Sequence, residues 1–255
     1  ALSSAASDVY KRQALTTTLG GIWQAFAANR STPWVVDDKL AVDDFCNTFI
    51  DLAKNMRDNG YVTELNQWTD EWKAAGQTDD TMGYFVSTWG FGESILLSAA
   101  GGEGGATYGK WNVCQGPTPY YWGGTWICGA IDSDNQDIVA DIMKVMTCNK
   151  DVAKAITEGE QDYTNNKAAI KELIDGGYTN AFLGGQDHLA LLTEAADKIS
   201  LENKLSAYDQ GCNEQIQNAF RDYFDGTVDI DGAKKNFETA IMELYPELTE
   251  VVWPE

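Results

Sequence analysis

Thirty-nine carboxylates, five cysteines and one histidine are among the side chains of this 255-residue sequence that could carry acid–base, nucleophilic or metal chemistry. Their spacing removes most of it. His188 is the only histidine, so a Ser-His-Asp triad, an H-E-x-x-H zinc site or a Cys/His cluster has too few members. At the head of an apolar helical stretch it reads as a surface or capping residue. Cys46, Cys114, Cys128, Cys148 and Cys212 contain no C-x-x-C pair. Their odd number and wide spacing argue against a disulfide framework. They read as small buried hydrophobes, although Cys114 and Cys128 flank an aromatic segment and could face each other across paired strands. The acidic run DSDNQD (132–137) has Asp137 where a calcium loop needs glycine and Met143 where it needs glutamate; the run at 225–232 has Ile230 in the glycine position. Both read as solvated helix caps. GGEGGATYG (101–109) lacks the G-x-G-x-x-G spacing of a dinucleotide site and reads as a flexible connection. No metal and no cofactor is implied. The abundance of carboxylates leaves an acid pair for glycoside hydrolysis open, with no local spacing that selects one.

The aromatic residues are more specific. The stretch GKWNVCQGPTPYYWGGTWICGA (109–130) carries Trp111, Tyr120, Tyr121, Trp122 and Trp126 with two prolines and a Gly-Gly pair. Successive side chains of a strand point to opposite faces, so one buried face does not use three adjacent rings. Trp89, Trp122 and Trp126 fall at predicted strand ends or glycine-rich turns, where rings can face a cleft. A pyranose presents apolar C–H faces that lie flat on an indole, and a rim of hydroxyls that hydrogen-bond to Asp, Asn, Gln or the indole N–H. Gly123 and Gly124 lack the Cβ that would keep a ligand from backbone amides. Each tryptophan taken singly reads first as a core residue; as a group they fit a sugar site better.

The elements that position these rings follow from periodicity. The stretch 43–60 is an amphipathic helix with Phe45, Phe49, Leu52 and Met56 in register, capped by Asp43 or Asp44. A shorter helix over 64–76 sets Trp68 and Trp72 four apart on one face. The stretch 83–88 reads as a buried strand, Trp89 to Gly92 as a sharp exit, and 93–100 as a short helix, together an α/β unit. Strands are expected at 111–115 and 125–131, separated by a stiff Pro117–Pro119 crossing. Asp134 is expected to cap a helix ending at Cys148, with Ile138, Ile142, Val145 and Met146 on its inner face. Helices follow at 151–158, 165–175, 187–199, after 208 and towards 244. Length allows one large domain or two smaller ones. The first thirteen residues, ALSSAASDVYKRQ, differ from the rest and resemble translated sequencing-adapter sequence; the natural N-terminus is expected to be missing. With 18 basic against 39 acidic residues and a net charge of −21, nucleic acid is excluded as a partner. No apolar run is long enough to span a membrane.

The order of these pieces resembles the extracellular solute-binding proteins of carbohydrate ABC transporters, the maltose-binding-protein-like family 1. GYFVSTWGF resembles that family's strand ending in an aromatic near the sugar, YGKWNVCQGPTP its crossing between lobes, and YYWGGTWICGAI its strand entering the N-terminal lobe. FRDYFDGTVDIDGAKKNF resembles the family's C-terminal helix pair. The resemblance implies an α/β, two-lobed, periplasmic-binding-protein-like fold (type II), helix-rich and here N-terminally truncated. Residues 14–115 would be part of the C-terminal lobe, 116–200 the crossing and part of the N-terminal lobe, and 201–255 helices packing back. It further implies a non-enzymatic protein that binds a carbohydrate outside the cell and passes it to ABC permease subunits, held to the membrane only by a lipid anchor on the missing N-terminus or free in the periplasm. By this resemblance Trp89 is a stacking platform, and Trp122, Gly123, Gly124 and Trp126 form the opposite wall. Trp23 is a further aromatic contact, and Gln186, Asp187, Tyr208 and Asp209 are polar contacts. Tyr208-Asp209 and Gln186-Asp187 also read as helix caps. A glycoside hydrolase fragment is the rival reading, and an adhesion or scaffold domain the third.

Overall fold

The computed structural model describes residues 15–16, 18–78, 81–92, 95–202 and 204–254; the adapter-like segment 1–13 and Glu93 lie outside them. In chain order the helices and strands are α1 (Leu19–Ala28), β1 (Val35–Val36), β2 (Lys39–Ala41), α2 (Asp44–Asp58), α3 (Asp70–Ala74), α4 (Leu96–Ala99), α5 (Gln136–Cys148), α6 (Lys150–Glu160), α7 (Lys167–Asp175), α8 (His188–Ala196), α9 (Asp209–Phe224), α10 (Ile230–Leu244) and β3 (Val251–Val252). Two compact units form. The first takes the described residues within Ala1–Gln67, Asp80–Phe85 and Ile199–Glu255; the second takes those within Trp68–Asp79 and Val86–Lys198. Residues on both sides of the Pro117–Pro119 segment therefore belong to the second unit.

The first unit is built on periodic apolar faces that converge. α1, α2, α9 and α10 contribute Trp23, Phe49, Phe220 and Phe237, each at most 1% exposed, and the loop before β1 contributes Trp34 at 0%. Trp23 packs edge-on against Phe49 with centroids 4.8 Å apart. β1 and β2 form a tight hairpin around Asp37 and Asp38, both with positive φ (51° and 58°), the left-handed pair that a two-residue turn needs to match strand twist. β3 pairs parallel to β2 with Leu40 opposite Val251, which adds a third strand at the edge of the hairpin. The Arg30 guanidinium is enclosed here. It donates to the carbonyl oxygens of Ala27 and Lys204 and pairs with Asp209 at 3.3 Å, the partners a buried charge requires.

The second unit is held by shorter helices with side-chain caps. Thr69, Asn149, Asn166 and Asp187 each accept backbone N–H bonds at the starts of α3, α6, α7 and α8. Ile170, Leu173 and Leu189 form a small core between α7 and α8. His188 belongs to this interior. The expected surface or capping residue is fully buried, its ring 4.8 Å from Phe91 and 5.7 Å from Tyr178. Its neighbour Asp187 does the capping, so the imidazole is free to turn inward.

Several expected elements do not form. The stretches 83–88, 111–115 and 125–131 carry no strand among the described residues. Their backbone groups are met by side chains instead: Gln186 brackets Val113, accepting from its N–H and donating to its carbonyl, both at 2.8 Å, and the Tyr120 hydroxyl donates to the Val86 carbonyl at 2.7 Å. The 64–76 helix contracts to α3, because Glu64 and Trp68 hold positive φ (53° and 76°) and cannot continue a right-handed helix. Asp134 does not cap α5, which follows Asn135 and has no side-chain cap bond. The inner face expected for α5 is exposed: Ile138 at 60%, Ile142 at 53%, Val145 at 47% and Met146 at 46%, since no described residue of this unit buries it. Of the cysteines expected to be buried, Cys46 and Cys212 are; Cys114, Cys128 and Cys148 are exposed, and all five are free thiols.

Asp43 and His188 are two of the groups that make the fold pH-sensitive. Asp43 caps α2 by accepting from the Phe45 amide and also accepts from the Ser31 amide and hydroxyl. Burial opposes its ionisation, but these bonds outweigh it and hold the carboxyl below its ordinary 3.8. Its stabilisation is therefore complete above that value and lost as pH falls through the folded-state pKa. Replacing Asp43 by Ala is expected to cost about 1–2 kcal/mol at neutral pH, read by urea denaturation, with the difference from wild type shrinking below pH 3.8. For His188, burial lowers the imidazole pKa below 6.5, partly offset by the Gln161 carbonyl. The unfolded chain then binds the proton first, so stability falls as pH drops below 6.5 towards the folded-state value. Because the chain has a single histidine, one imidazole C–H resonance followed by NMR should titrate with a midpoint below 6.5.

Candidate ligand-binding site

Four tryptophans of the second unit come together. The base is Trp72, the buried residue of α3, 1% exposed. Trp68, just before the α3 cap, lies 5.5 Å from it at 55°. Trp68 then stacks on Trp89 at 5.6 Å and 19°, and Trp89 meets Trp122 edge-on at 5.9 Å and 64°. The Trp89 indole N–H donates to the Trp122 carbonyl at 3.3 Å. Trp68 keeps 48% of its surface exposed, and Trp89 and Trp122 are half-buried. The result is a stepped aromatic surface with a buried footing.

Local sequence explains each placement. Trp89 sits in a single 3-10 turn, Thr88–Gly90, and the chain then passes so close to the end of α6 that a Cβ at Gly92 would lie 2.6 Å from the Glu160 carbonyl oxygen. Only glycine fits that approach. Trp68 adopts φ of 76°, a conformation rare for a bulky side chain and costing of order 1 kcal/mol or more. The adjacent rings at 120–122 divide the work. Tyr120 anchors the segment through its bond to Val86, and burial pushes its phenol up to about 12. Trp122 turns to Trp89. Beyond them Gly123 has φ of 62° with open space where a Cβ would be, and Trp126 is 70% exposed.

The sequence-derived residues are thus sorted by the fold. Trp89 and Trp122 meet directly, and Gly123, Gly124 and Trp126 follow on the same exposed segment. Trp23 is correctly an aromatic of α1 but not an accessible one: at 0% exposure it is a core ring of the first unit. Its position on the inward face of α1, with Phe49 and Trp34 around it, leaves no surface for a ligand. Gln186 is engaged with the Val113 backbone and Asp187 with the amides of Leu189 and Ala190. Asp209 accepts from the Ser206 amide and hydroxyl and pairs with Arg30; Tyr208 packs edge-on against Tyr245 at 4.9 Å. These four polar candidates are held by structural partners.

Three residues of the site were not singled out from sequence. Trp68 and Trp72 were legible only as a pair four residues apart. Asp162 had no signal at all. Burial raises its carboxyl pKa, while bonds from the Tyr163 amide and the Thr88 hydroxyl pull the other way. This places an acceptor beside the residue preceding Trp89. Among the described residues no group of three His, Cys, Asp or Glu could hold a metal ion. The arrangement can stack a flat apolar face and accept hydrogen bonds at its edge.

No family model and no curated protein matches this sequence. Solved structures do. A crystal structure of an extracellular solute-binding protein of family 1 superposes with a TM-score of 0.74 at 16% identity, covering 92% of this chain and 59% of its own. An ABC transporter associated binding protein from B. animalis subsp. lactis Bl-04, in complex with beta-1,6-galactobiose, matches with a TM-score of 0.69 at 14% identity, covering 96% of this chain and 64% of its own. The chain thus spans less than two thirds of either. At such identities the likeness is one of fold: this chain has the helix-rich α/β fold of the two-lobed solute-binding proteins.

Proposed function

We propose that this chain is a non-enzymatic carbohydrate-binding protein whose platform is the Trp68–Trp89–Trp122 surface, with Trp126, Gly123 and Gly124 beside it. The observation that carries the reading is the half-exposed Trp68–Trp89 stack on a buried Trp72 footing. Indole faces left to solvent forgo burial worth about 2 kcal/mol or more for a large apolar side chain. A pyranose C–H face restores that burial, and its hydroxyls meet Asp162 and the open amides at Gly123-Gly124. The shared fold with a protein solved in complex with beta-1,6-galactobiose supports the same ligand class. In the full reading the protein works outside the cell and hands the intact sugar to an ABC permease.

Titration of the chain with β-1,6-galactobiose and a panel of other oligosaccharides should change its tryptophan fluorescence saturably. Trp68→Ala and Trp89→Ala should each weaken binding about tenfold, a loss of about 1.4 kcal/mol. The sugar should be recovered unchanged. Free reducing ends would instead support the hydrolase reading, and a flat titration across the panel would overturn sugar binding.

A further inference from the structure

The first unit contains a pocket of about 400 Å³ that has no part in the tryptophan surface. The first turn of α1 and the loop 63–67 form one side. Phe49 and Arg57 of α2 and Gln217, Arg221 and Phe224 of α9 form the other. Its chemistry is unusually specific. Glu64 accepts at Oε1 from the Leu19 amide at the head of α1, at 3.2 Å, but its Oε2 has no hydrogen-bond partner among the described residues. The Gln67 side-chain nitrogen, three residues on, has none either. One is an acceptor lacking a donor; the other is a donor lacking an acceptor. A buried polar group left unpaired is destabilising, so a ligand that pairs both gains by doing so.

Two further observations mark the loop. Glu64 holds φ of 53°, a left-handed conformation that a Glu residue adopts only when the surroundings impose it. At Gly20 an added Cβ would meet the Gln217 oxygen at 3.1 Å and the Gln67 oxygen at 3.6 Å, so glycine keeps the first turn of α1 open towards the amide groups. Charge in the pocket balances. Arg57 is ion-paired with Asp225, Arg221 lies at hydrogen-bonding distance from Asn218, and Glu64 supplies the second negative group. Such a site has no net preference for an anion or a cation. Phe49 and Phe224 supply an apolar wall.

We infer that this pocket binds a neutral ligand bearing adjacent hydroxyls, one hydroxyl donating to Glu64 and accepting from Gln67. A hydroxyl is a small neutral group that can donate to one and accept from the other at once. The terminal torsions of Glu and Gln are soft, so both atoms turn to the ligand at little cost. The shared chemistry is that of an acyclic polyol or a free monosaccharide. The inference stands apart from the tryptophan platform, since the pocket contains no indole.

The test is ¹⁵N NMR of the full chain titrated with xylitol, which has no pyranose face to stack, and separately with D-galactose. Saturable shifts at the Leu19 and Gly20 amides and the Gln67 side-chain amide are expected with at least one of them, and which one tells whether an open chain or a ring is seated. Gln67→Glu keeps the shape and removes the donor. It should weaken this response about tenfold or more, because the site's acceptor and ligand are then left mismatched. The galactobiose fluorescence response should persist in that variant. Glu64→Gln provides a second variant if Gln67→Glu loses its dispersed spectrum. No saturable shift with either probe, or undiminished shifts in a folded variant, would overturn the inference, whatever the outcome at the tryptophans.

Discussion

The hydrogen bond from the Trp89 indole to the Trp122 carbonyl fixes two otherwise irregular segments of the second unit to each other. Neither segment is a strand, so neither has a ladder to hold it in place. With the Tyr120–Val86 bond beside it, this contact sets where both rings stand. An indole whose N–H is paired loses one degree of freedom and presents its face in a fixed direction. The proposed carbohydrate platform depends on that fixed presentation.

The tryptophans separate into two kinds by what their surroundings offer. Trp23 and Trp34 are fully buried, yet their indole nitrogens have no hydrogen-bond partner among the described residues. Full burial of such a large ring outweighs an unmade bond of about 1–3 kcal/mol. Trp89 shows the reverse: its N–H is bonded and its ring is half-exposed. The first kind holds a core together; the second keeps a surface available. Trp68 carries this further, accepting a left-handed backbone to lie flat on Trp89.

Helices α2, α9 and α10 of the first unit were readable because their apolar residues recur at the helical period, and α2 and α10 also carry an Asp cap. Asp43 before α2 and Phe220, Phe224 and Phe237 in α9 and α10 show this directly. The strands expected around Trp89, Trp111 and Trp126 failed for a reason the residues do not encode. β-rich composition indicates compatibility with a strand, not the presence of a neighbour to pair with. The face of α5 failed likewise: Ile138, Ile142 and Val145 have the right period, but periodicity names a face without naming what covers it. In the site, Trp89 and Trp122 stand near glycines and stay half-exposed, while Trp23 also has neighbouring glycines and points inward. Asp162 was invisible because its link to Thr88 spans many residues of sequence.

The central claim is that the two kinds of tryptophan respond differently to sugar, and ¹⁹F NMR of the 5-fluorotryptophan-labelled chain reads each ring separately. Saturating oligosaccharide should move the resonances of Trp68, Trp89 and Trp122 while those of Trp23 and Trp34 stay in place. Motion confined to Trp23 and Trp34, or none at Trp89 when binding is saturated, would contradict the account.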